Sequence, residues 1–151
     1  MDRRDFSALL PMLLALPALA PEALAQAAPE HVAALPKLAS GEYAMGEAYG
    51  SQRPTRTSHR FLLGMLPDNI RLEAHLTELA PGAPNEPIDH HKHSEMWFMR
   101  EGTATLMTAG ASRTLKAGDM GLCVAGDDHS TSNASKTEAA SYFVLSVGSP
   151  E

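Results

Sequence analysis

The sequence predicts an all-β fold, a sandwich or barrel, on three observations. Short apolar runs recur along the chain, each closed by Gly, Pro, Asn or Asp. In "IRLEAHLTEL", apolar Ile70, Leu72, Ala74 and Leu76 alternate with polar Arg71, Glu73, His75 and Thr77, the period of a half-buried strand. Beyond the first 25 residues, no window keeps helical spacing for three turns.

Each segment has its own reason. "MDRRDF" places two arginines before an aromatic, and "SALLPMLLALPALAPEALA" is apolar and nearly free of charge. Ala23 and Ala25 supply the small residues of a cleavage site, so residues 1–25 are expected to be a signal peptide. Arg3-Arg4-x-Phe6 resembles the twin-arginine export signal, which implies a bacterial periplasmic or secreted protein. Pro11, Pro17 and Pro21 interrupt a run already short for a membrane span, so no membrane association is expected after cleavage. Residues 26–40, rich in Ala and Pro, read as a linker or loosely docked arm. Residues 41–151 hold the β domain. "SHRFLLGML" is a strand stopped by "PDN", and "IRLEAHLTEL" is the next. "APGAPNEP" forces a loop. "EMWFM" is followed by the turn "REG", "TATLMTA" is closed by Gly110, and "SRTLKAGD" leads into "MGLCVAGDD"; "ASYFVLSV" is the last strand.

Composition narrows the class. The chain of 151 residues is 44% hydrophobic and 20% charged, the profile of a single globular domain. Its net charge of −6 is spread along the sequence, and without a basic stripe nucleic acid is not an expected partner. Cys123 is the sole cysteine, so no intramolecular disulfide forms and an apolar core must hold the fold.

Two spacings carry the chemistry. In "GDMGLCVAGDDHSTSN", Gly118, Val124, Gly126, His129 and Asn133 follow one another as G-x5-V-x-G-x2-H-x3-N. Upstream, Glu95 and Gly102 are separated by six residues, and fifteen residues separate Gly102 from Gly118. Together these resemble the two motifs of the cupin superfamily, with Val124 where that family usually has proline. The resemblance implies a small single-domain jelly-roll barrel of two antiparallel sheets, a double-stranded β-helix. It also implies a divalent metal held inside the barrel and pairing as a homodimer.

The first motif departs from the family. Its two histidines would fall at positions 89 and 91, and this chain has Asp89 and His91, with His90 and His93 close by. Three ligand sets remain open. One is His91, His93, Glu95 and His129; another puts Asp89 in place of His93; a third recruits His90. The shared part, His91, Glu95 and His129, suits Fe, Mn, Ni, Cu or Zn equally. A site without metal, its histidines hydrogen-bonded in loops, is the remaining alternative. That alternative fits His31, His59 and His90 better than His129.

Other residues are read more plainly. His75, on the polar side of its strand, is a surface or second-layer residue. Met96, Met99, Met107 and Met120, with Trp97 and Phe98, are expected to fill the core. Cys123 is expected to be a buried thiol, Asn133 to cap a turn or shape the mouth, and Asp127-Asp128 to be solvated loop carboxylates or to orient His129. The expected function is a metal-dependent, dioxygenase-like enzyme acting on a small organic molecule. Whichever of Asp89 and His93 is not a ligand would then carry protons. A non-catalytic module binding a metal or small ligand is the alternative, favoured by the absence of a separate acid–base pair in the sequence.

Overall fold

The computed structural model describes residues 34–150. The signal peptide read at 1–25, the arm as far as residue 33, and His31 lie outside them. Nine strands follow in order among the described residues: β1 (Ala48–Arg53), β2 (Arg56–Leu66), β3 (Ile70–Leu79), β4 (His93–Glu101), β5 (Thr103–Thr108), β6 (Ala111–Lys116), β7 (Met120–Cys123), β8 (His129–Asn133) and β9 (Ala140–Gly148). A single 3-10 turn, Pro67–Asn69, separates β2 from β3.

The strands form two antiparallel sheets, one of six in the order β1-β2-β3-β9-β4-β7 and one of three in the order β6-β5-β8. This is the jelly-roll barrel of two antiparallel sheets that the motifs imply. Sequence neighbours β2–β3 and β5–β6 pair directly, whereas β9 returns from the far end of the chain to lie between β3 and β4. Such non-local pairing is what turns a string of hairpins into a closed interior. Leu79, Trp97, Met99, Ala104, Leu106, Cys123, Tyr142 and Val144 are buried in one cluster drawn from both sheets. The arm is tied down where it is described: Met65 N donates to Pro36 O and Leu38 N donates to Met65 O, each at 2.8 Å.

Which side of β3 turns inward is the main surprise. Its alternation is real, but Glu73 and Thr77 are buried and His75 lines the interior. Ala74 and Leu76 instead share the outer face with Leu145 and Phe143 of β9. Period two says which residues share a face, not which face is the inside. His75 is therefore not a surface residue. The same outer face corrects a second expectation. Trp97 and Met99 are core residues, but Phe98 is 41% and Met120 56% exposed, beside Phe143 and Leu122.

Candidate metal centre

β4 supplies two inward side chains, His93 and Glu95, because residues two apart on a strand share a face. β8 begins at His129, so the turn before it decides where that ring points. Gly126 makes this turn with φ +89, a backbone angle few other residues adopt readily. His91 comes from the coil before β4, and that coil is pinned in place. Asp89 N donates to His129 O at 3.0 Å, His129 N returns a bond to Asp89 O at 2.8 Å, and Gly126 N donates to His91 O at 2.8 Å.

These three elements bring one donor atom each from His91, Glu95 and His129 within 4.8 Å of one another. His129 Nε2 stands 3.2 Å from Glu95 Oε2. Donors bound about 2.1 Å from a common ion sit roughly 3 Å apart, so this pair is already spaced to share one. Ser146 Oγ donates to Glu95 Oε1 at 2.7 Å and fixes the carboxylate from behind. Burial by itself pushes the Glu95 carboxyl up. Hydrogen bonds from His129 and Ser146 outweigh it and bring its pKa down to about 2. Burial likewise lowers His129, but the Glu95 carboxylate wins and raises it. His129 Nδ1 is buried with no hydrogen-bond partner. Two imidazoles and an ionised carboxylate converging inside the barrel fit a divalent cation, which would take up the donor atoms facing the centre.

The other proposed ligands lie beside this group of three rather than within it. His93 is buried and its ring stacks on His91, with centroids 4.6 Å apart and planes 8° from parallel. It does not swing away from Glu95: its Nε2 is 3.5 Å from Glu95 Oε1 and also 3.5 Å from Arg71 Nη1. A cation at that nitrogen would face the guanidinium. The Asp89 carboxylate is exposed, accepts from His90 N at 2.8 Å, and reaches to 3.7 Å from His91 Nε2. His90 points outward beside Asp128. The carbonyls of Asp127 and Asp128 accept from Cys123 Sγ and Ala109 N. Asn133 caps a turn, donating to Ala80 O and Glu138 O and accepting from Ser135 N.

The centre opens into a cavity of about 260 Å³. Its remaining wall is mostly polar, with Arg53, Arg56, Ser58, His75 and Thr77 beside Trp97. Arg56 is fully engaged: it donates to Tyr142 Oη at 2.7 Å, to Thr131 Oγ1 at 2.9 Å and to Thr131 O at 2.8 Å, and pairs with Glu86 at 3.3 Å. His75 lines this cavity, a place that sequence reasoning undervalued. Its signal was its parity with Glu73 and Thr77.

Comparison with known proteins agrees with this architecture. The Cupin domain family model matches residues 75–146. No curated protein matches the chain by sequence. Among solved structures, KdgF from Halomonas sp. is similar at 14% identity and a TM-score of 0.56, over 72% of this chain and 94% of that one. An RmlC-like cupin from Shewanella frigidimarina NCIMB 400 is similar at 16% identity and 0.54, over 72% and 86%. The DMSP lyase DddQ from Ruegeria pomeroyi DSS-3 is similar at 22% and 0.53, over 64% of this chain and 49% of that one. At such identities the likeness is one of fold. With two antiparallel sheets in this order and the family match running from His75 on β3 to Ser146 on β9, the chain carries a cupin barrel.

Proposed function

We propose that this is an exported metal-dependent cupin enzyme that acts on a small polar molecule at one divalent cation held by His91, Glu95 and His129. The observation that carries the reading is the triad itself: three donor atoms within 4.8 Å, two of the residues buried, at the floor of a cavity. Three protein ligands on one face leave open positions, and a cation so held supplies Lewis acidity toward a substrate oxygen. Ser146 holds the Glu95 carboxylate, and the paired backbone of Asp89 and His129 holds the two histidine-bearing segments together. His93, Asp89 and His90 are assigned no place among the ligands.

Metal content of the purified chain tests this directly. One equivalent is expected in wild type and almost none in His129→Ala. Retention of a full equivalent by that variant would move the site elsewhere. Dioxygenase-like chemistry is the first form of the reading to check. The iron-loaded protein is expected to consume O2 with a phenol, a diketone or a thiol, and no uptake across all three removes that form. Metal uptake without turnover of any such substrate is the outcome expected of the binding-module alternative. Export and pairing as a homodimer belong to the same proposal. Periplasmic fractionation and sedimentation equilibrium are their tests.

A further inference from the structure

The cavity wall contains a histidine, His75, backed by Glu73, and the metal reading gives this pair no task. His75 lines the cavity, and its Nδ1 is buried without a hydrogen bond, 3.7 Å from Glu73 Oε1. Glu73 is 7% exposed and held on three sides. Its Oε1 accepts from Arg60 Nε at 2.9 Å and from the Tyr49 hydroxyl at 3.1 Å, and its Oε2 accepts from Arg71 Nη2. The Tyr49 ring meets His75 edge-on, with centroids 5.9 Å apart, and limits how the imidazole turns. Burial by itself pushes the Glu73 carboxyl up, but His75 and Arg60 outweigh it and hold the pKa well below the usual range.

Two guanidinium groups already balance the charge of Glu73, so the carboxylate does not need His75 for neutrality. What the arrangement gives His75 is a fixed anion behind Nδ1. That favours the proton on Nδ1 and leaves the Nε2 lone pair for the cavity, the orientation a general base requires. The walls around it are polar and the space is small, which favours a hydrophilic substrate of a few carbons.

We propose that His75, oriented by Glu73, is the proton acceptor of this cavity, and that the substrate is a small hydrophilic carbonyl compound with an acidic C–H next to its carbonyl. This rests on the metal reading above, since Lewis acidity at the carbonyl oxygen is what makes that hydrogen acidic. In the step, the C–H bond breaks and the proton passes to His75 Nε2. The electron pair stays on the substrate as its enolate. Return of a proton from His75 to the same carbon completes an exchange, with no oxidant consumed. His75 is the catalytic residue here and Glu73 a positioning residue.

The test is deuterium exchange in D2O followed by proton NMR, with the full chain loaded with Zn2+ and pyruvate, 2-oxobutyrate and dihydroxyacetone as probes. Wild type is expected to exchange the hydrogens of at least one probe. His75→Ala is expected to lose about 100-fold in rate at unchanged metal content, with added imidazole restoring part of it. Glu73→Asp is expected to keep more of the rate than Glu73→Gln, which a merely packing role would not require. Exchange at the wild-type rate in His75→Ala, or none with any probe in the metal-loaded wild type, overturns the proposal and leaves the metal reading standing. Failure of the wild type to take up Zn2+ overturns both.

Discussion

Glu73 sits among Arg60, Arg71 and Tyr49 with almost no access to water, and single-residue predictions start there. Its pKa in the fold lies below the ordinary 4.5, so the ionised group contributes stability at neutral pH. That contribution is lost progressively as pH falls below 4.5. Glu73→Gln strands two guanidinium groups and is expected to cost about 3 kcal/mol at pH 7. The penalty should shrink toward pH 3, as urea unfolding at each pH will show; a constant penalty would contradict an ionised Glu73. Cys123 makes the opposite case. Burial first, then Asp127 and Glu95, push its thiol up to about 11. Folded protein at pH 8 should therefore react with iodoacetamide far more slowly than unfolded protein, as mass spectrometry of the alkylated chain will show.

At the scale of elements, the turn from β4 to β5 and the tie between β2 and β8 position the site. Gly102 turns the chain with φ +68, and a Cβ there would lie 2.3 Å from Ala139 O. Gly102→Ala combines left-handed strain with a backbone clash and is expected to cost about 3 kcal/mol in urea unfolding. Arg56 reaches from β2 to Thr131 on β8, Tyr142 on β9 and Glu86 in the loop before β4. Arg56→Met removes four polar partners at once. It should lower stability by roughly 2–3 kcal/mol and loosen the loop that leads to His91. Faster amide exchange at Glu86 and Asp89, whose backbone N–H groups donate to β8, is the observable.

At the scale of the molecule, folding and metal uptake are one equilibrium, because His91, Glu95 and His129 meet only when β4, β8 and the coil between Leu79 and His93 are assembled. Free metal at a hundred times its dissociation constant should add about 2.7 kcal/mol to the stability of wild type and nothing to His129→Ala. Calorimetry with and without Zn2+ measures both. The sequence was enough to read most of the strands from Ser58 onward and the turn at Gly102. These depend on neighbours in the chain: alternation, turn residues and fixed spacings. β1 escaped, since "AYGSQR" has no alternation to announce it.

What the chain could not say by itself was direction and company. Phe98 and Met120 were expected inside and lie outside, while His75, read as a surface or second-layer residue, lines the cavity with Glu73 buried beside it. Strand parity assigns side chains to one of two faces, and only the closing of one sheet over the other decides which face is enclosed. The nearness of His129 to Glu95, and of His75 to a carboxylate already gripped by Arg60 and Arg71, likewise comes from strands far apart in sequence. Local residues settled an all-β barrel with candidate ligands in it. Long-range pairing of β3, β9 and β4 put the proposed base in the same cavity as the metal centre.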